Sequence, residues 1–175
     1  MKNHDWSDEF RRLWDRGIAA WKAGRRAPAS MFRRDDVTFL AGIGCSPQEM
    51  FDFVDDHEVF GEPEFDDVLK VTAVRRDFFL NVQEGRSTGR MAEMESLPAK
   101  DQEAEGMVWL PRIIAKARLK LRGEMPPDLM YGCGGDRSFF SRVNLSAAEF
   151  LELVRDHDGD DRTIIQTVKK RAGIV

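Results

Sequence analysis

Apolar residues recur at helical spacing along most of the chain. Trp6, Phe10, Leu13, Trp14, Ile18 and Trp21 stand three or four positions apart, which puts them on one stripe of a helix from about Asp5 to Ala23. Arg11, Arg12, Asp15, Arg16 and Lys22 occupy the other faces, and Gly24 supplies a stop. Three tryptophans on a stripe suit stacking on nucleic-acid bases or the core seam of an amphipathic helix. The seam is the commoner use of such a stripe and is the reading preferred. A short helix is expected over Asp35–Ala41, capped by Asp35 or Asp36, with Val37, Phe39 and Leu40 on its apolar side. Ser46-Pro47-Gln48-Glu49 is a strong helix start, since Ser46 caps, Pro47 takes the first position and Glu49 closes a capping box. That helix runs to about Val59 and stops at Gly61. Another opens near Pro63, carries Phe65, Val68, Leu69, Thr72 and Ala73, and continues to Val82; residues 78–82 also suit a short strand, and helix is preferred.

Residues 85–106 lose any period and read as a long surface connection. Beyond them, Leu110-Pro111-Arg112 opens a helix to about Arg122, and Gly123–Gly135 is a loop. Asp136 is expected to cap a short helix with Phe139 and Phe140. Ser146 and Glu149 form a second capping box, and Asp160 or Asp161 caps a last helix with Ile164, Ile165 and Val168. No period-two strand and no internal repeat emerges. The expected fold is all-α, a compact multi-helix bundle with one long irregular connection. Its parts are an amino-terminal helical subdomain at 1–85, a connecting segment at 86–106 and a carboxy-terminal helical subdomain at 107–175, expected to share one core.

Composition narrows the class. Of 175 residues, 42% are hydrophobic and 33% charged, enough for a sizeable core in a soluble protein. No run approaches the roughly 18 apolar residues of a membrane helix, and the first ten residues lack the apolar stretch of a secretory signal. With 27 bases against 31 acids, the net charge of -4 gives no general pull toward nucleic acid or anionic lipid. Two cysteines, Cys45 and Cys133, are too few for a disulfide scaffold and fit a reducing cytoplasm. Locally the charge is uneven. Nine acids and no Lys or Arg lie between Glu49 and Asp67, and five bases and no acid between Arg112 and Arg122. Arg112, Lys116 and Lys120 share one face of their helix. Such a stripe receives a phosphate or carboxylate ligand, rests against the acidic helix of the first half, or is a solvated face; the two structural readings are preferred to the ligand.

The most unusual segment is Tyr131-Gly132-Cys133-Gly134-Gly135-Asp136-Arg137, where the chain's one tyrosine precedes a glycine-enclosed cysteine at an expected helix start. Helix N-termini and glycine-exposed amides favour a reactive thiol. Against that, a capping Asp136 would fill the amides with its own charge, and His4, His57 and His157 are remote in sequence. Cys45 reads as a packed thiol. Asp55-Asp56-His57 points three ways from one helix, and Asp156, Asp158 and Asp160 imitate the start of a calcium loop but have Asp161 in place of its glycine and Thr167 in place of its glutamate, so neither is read as a metal site. No cofactor-binding motif is found.

Leu110-Pro111-Arg112-Ile113-Ile114-Ala115-Lys116-Ala117-Arg118, followed by Tyr131-Gly132-Cys133, Asp136 and Phe139-Phe140, resembles the bacterial family called Domain of Unknown Function 5069 over roughly residues 106–172. Gly134-Gly135 depart from the bulkier residues of that pattern. The first hundred residues look like an extension found in some relatives. The resemblance implies no activity, but it selects Arg112, Lys116, Arg118, Tyr131, Cys133 and Asp136. The leading expectation is a small anionic ligand between the Pro111–Arg122 helix and the Tyr131–Asp136 loop. Arg112 and Lys116 would be its cations and Arg118 and Tyr131 further ligands; in a catalytic version Cys133 is nucleophile or redox thiol and Tyr131 or Asp136 carries the proton. The competing expectation is a protein-interaction or self-associating module whose glycine loop is architectural, with Asp136 pairing to Arg112. Exposed aromatics such as Phe32 or Phe60 would need covering by a partner. RNA binding through the amino-terminal arginines is a distant third.

Overall fold

A computed structural model describes residues 3–174. It divides into two compact units, Met1–Arg86 and Ser87–Val175. The fold is all-α apart from one minimal hairpin, as the periodicity predicts. The first unit contains α1 (Asn3–Lys22), α2 (Pro28–Met31), α3 (Arg34–Gly42), α4 (Pro47–Phe60) and α5 (Phe65–Asn81).

The tryptophan stripe is a core seam. Trp6, Phe10, Leu13 and Trp14 are buried, α1 packs on α4 and α5, and the Trp21 indole donates to Asp55 Oδ1 at 2.7 Å. Phe32 is buried rather than exposed, whereas Phe60 stands in solvent. The start of α3 lies earlier than either expected cap. Asp36 is the third helical residue, and its carboxylate reaches back to the Arg33 amide at 2.9 Å. Ser46 and Glu49 close their capping box, and Gly61 ends α4 at φ 77. Residues 78–81 continue α5, so the strand alternative is excluded.

In the second unit the irregular stretch holds a 3-10 turn at Met94–Ser96. It then enters a hairpin of β1 (Glu103–Ala104) and β2 (Met107–Val108), antiparallel with Glu103 opposite Val108. Strands of two residues leave no readable alternation, which is why the sequence did not signal them. Four helices follow: α6 (Leu110–Arg122), α7 (Gly134–Arg142), α8 (Ala147–Asp156) and α9 (Asp161–Arg171). Leu110, Ile113, Phe139, Phe150, Val154 and Val168 are in the core, with α8 packed against α6 and α7. Ser146 and Glu149 close their capping box, and Asp160, not Asp161, caps α9 through the Thr163 amide at 3.1 Å. Among the described residues no helix is long and apolar enough to cross a membrane.

Candidate functional site

The charged stripe of α6 is where local pattern and tertiary structure part. Lys116 and Lys120 are 2% and 1% exposed, so this is neither a solvated face nor an open cation row. Ile113, Ile114 and Ala117 of the same helix are buried as well. The Lys116 ammonium donates to Asp136 Oδ2 on α7, and Asp136 is wholly buried. The same carboxylate accepts the Gly132 amide at 2.9 Å and, through Oδ1, the Trp109 indole N–H at 2.9 Å. A buried carboxylate is stable only when its lone pairs and charge are met in this way. The expected Asp136–Arg112 pair is therefore not made. Arg112 lies one turn earlier, about 6 Å along the axis, and donates to the Pro98 carbonyl at 2.7 Å instead.

Asp136 is also not the cap of α7. The helix starts at Gly134 with Cys133 at the capping position, where no side chain bonds the first-turn amides. Cys133 is half-buried, and its sulfur lies 3.4 Å from the Lys116 ammonium. Gly134 and Gly135 are exposed, Gly132 takes a left-handed turn at φ 87, and Arg137 folds back to donate to the Gly132 carbonyl at 2.7 Å. A half-exposed thiol, an ammonium at its inner side and a guanidinium over its loop thus meet at an uncapped helix start.

Trp109 is the residue that pattern reading missed. It sits just before α6 at φ 80, a left-handed conformation unfavourable for a bulky side chain, and its amide bonds the Gln102 carbonyl at 3.1 Å. The indole both bonds Asp136 and covers Gly135, whose added Cβ would stand 2.8 Å from the Trp109 ring. That contact explains why position 135 holds a glycine. The only sequence signal was a lone tryptophan beside Leu110-Pro111-Arg112.

The other nominated residues are engaged elsewhere. Tyr131 is buried and its hydroxyl donates to the Ala147 carbonyl at 2.7 Å, tying the loop to α8. Burial, and secondarily the Asp136 charge, push its phenol well above the ordinary value. Neither it nor the enclosed Asp136 has the access to solvent that a proton carrier requires. Arg118 binds Asp158 at 3.0 Å and Asp161, joining α6 to the start of α9. Burial pulls its guanidinium down, but the two carboxylates outweigh this and its net shift is upward. In the first unit Cys45 is buried, and His57 Nδ1 is 3.0 Å from the Pro63 carbonyl. Among the described residues no group of three or more His, Cys, Asp or Glu side chains could hold a metal ion.

Residues 95–173 match the family described as Domain of unknown function (DUF5069). The matched stretch contains α6 to α9 together with Trp109, Lys116, Cys133 and Asp136. No curated protein and no solved structure gives a match to the chain.

Proposed function

From a carboxy-terminal stretch that matches this unknown-function family, and from the geometry where α6 meets α7, we propose that the protein binds a small anionic ligand at the start of α7, beside Cys133, in the cytoplasm. The observation that carries this reading is the inward turn of Asp136. The acid nearest the helix start spends its charge on Lys116, leaving the glycine amides of the first turn without a capping side chain. Helix N-termini of this kind accept anions. Arg137, rather than the expected Arg112 and Lys116, is the guanidinium beside that opening, and Cys133 is the thiol a bound electrophile would meet. Lys116 contributes from behind, as a fixed positive charge against the sulfur.

A second reading has its own observation. Arg112, Lys116, Arg118 and Tyr131 each have a partner within the fold, as an architectural corner in an interaction module would require. One experiment separates the two. Native protein is alkylated with iodoacetate and with uncharged iodoacetamide, read site by site by mass spectrometry, with a free small thiol as reference. The ligand reading expects Cys133 to favour the anionic reagent several-fold over the reference ratio, and Arg137→Ala to remove that preference. A Cys133 ratio equal to the reference, or labelling only after unfolding, would abandon the ligand site in favour of the architectural corner.

A further inference from the structure

We infer that the first unit is a divergent second copy of the module formed by α6, α7 and α8, so that the chain carries the same design twice. Helix α3 spans Arg34–Gly42 and α7 spans Gly134–Arg142, one hundred positions on. Each is followed by a residue at near-identical angles, Ile43 at φ -108, ψ 6 and Val143 at φ -99, ψ 6. A left-handed residue comes next in both, Gly44 at φ 73 and Asn144 at φ 51. The following amides bond back alike, Cys45 to the Leu40 carbonyl at 3.0 Å and Leu145 to the Phe140 carbonyl at 3.1 Å. Then Ser46 with Glu49, and Ser146 with Glu149, close the same capping box. Helix α1 packs on α4 as α6 packs on α8.

Caps and left-handed turns recur in unrelated helical proteins, so they decide little alone. The ion pair decides more. Asp36 and Asp136 are both third residues of their helices and both buried. Each accepts a backbone amide from just before its helix at 2.9 Å, Asp36 from the capping residue Arg33 and Asp136 from Gly132, one residue further out than the hundred-residue spacing gives. Each also pairs with a cation on the first long helix of its unit, Arg16 or Lys116, again one hundred apart. No local rule of helix formation places that cation. Aligned on this spacing, 34–60 and 134–160 share seven identities in 27 positions: the Asp36, Phe39, Ser46, Glu49, Val54, Asp56 and His57 positions. The rest has drifted, with Arg33 where Cys133 stands and Met31 where Tyr131 stands, so the thiol environment exists once per chain. Periodicity alone missed the repeat because the two copies share a burial pattern more than they share residues.

The test transplants Ser146–Val154 onto 46–54 of the full chain, which requires Pro47→Ala, Gln48→Ala, Met50→Phe, Phe51→Leu, Asp52→Glu and Phe53→Leu. A control places the same nine residues one position later. The in-register chain is expected to keep a cooperative thermal transition within about 10 °C of the parent, while the shifted one loses it. In parallel, Arg16→Lys should hold the melting temperature and Asp36→Asn should lower it by about 5 °C or more. An in-register transplant that melts no higher than the shifted one, or an Asp36→Asn chain that melts with the parent, overturns the inference.

Discussion

At the scale of single residues, Gly134 and Gly135 are neighbours with opposite reasons to be glycine. A Cβ on Gly135 would enter the Trp109 ring at 2.8 Å, and that ring is fixed by its bond to Asp136 and by the left-handed backbone of Trp109. A Cβ on Gly134 would meet only the Arg137 guanidinium, at an ordinary 3.8 Å. Gly135→Ala should therefore cost about 1–3 kcal/mol, the usual range for overpacking. Gly134→Ala should be neutral or gain about 0.4–1 kcal/mol from a stiffer unfolded chain. Urea unfolding of both variants checks the contrast, and equal effects would remove the indole contact as the cause. This scale was half legible in sequence. A cysteine enclosed by glycines announces itself, but the indole that shapes its loop comes from 27 residues earlier and makes no local pattern.

At the scale of elements, spacing put Arg112, Lys116 and Lys120 on one stripe of α6 and left open what that stripe meets, and the structure buries Lys116 and Lys120 along with Ile113, Ile114 and Ala117. Periodicity reports which side of a helix a residue occupies. It does not report whether a carboxylate waits across the interface. The caps were legible because Ser46, Glu49, Ser146 and Glu149 act on their own backbone, within three residues. Asp136 was misread as a cap because its partners lie on α6 and just before it. The Lys116–Asp136 pair is open to a double-mutant cycle. Lys116→Met leaves a buried carboxylate without its cation and should cost about 3–5 kcal/mol, as should Asp136→Leu for the stranded ammonium. The double variant should recover a large part, since an apolar pair of similar volume carries no desolvation penalty. Arg16→Met should cost less, because the Arg16 side chain is 42% exposed and water screens its pair with Asp36. Additive losses at Lys116 and Asp136 would show that the ammonium and the carboxylate do not depend on one another.

At the scale of the whole molecule, helical class was written plainly in the spacing of apolar residues, whereas the recurrence of one module was not, because conserved burial positions are filled by different side chains. Leu40 answers to Phe140 and Met50 to Phe150. The response to pH belongs to this scale too. Glu149 is held below its ordinary value by the Ser146 amide and hydroxyl, and Asp160 by the Thr163 hydroxyl and amide. Both groups bind protons more tightly in the unfolded chain, so the stability they add is present above the ordinary carboxylate range and lost as pH falls through it. Tyr131 acts at the other end. Its ordinary value is 10.0 and the folded value lies well above, first because the ring is buried and then because Asp136 is near. The unfolded chain therefore releases the proton first. The stability Tyr131 contributes is complete below pH 10.0 and disappears as pH climbs from there toward the folded value. Since the chain holds one tyrosine, phenolate absorbance reports this group alone. In an alkaline titration the phenolate signal should rise only together with loss of helical circular dichroism. Tyr131→Phe should lower stability at neutral pH by about 1 kcal/mol through the lost bond to Ala147. A phenolate that titrates near 10.0 while the helices remain intact would mean that the hydroxyl reaches water, and the loop it anchors would then be open rather than sealed against α8.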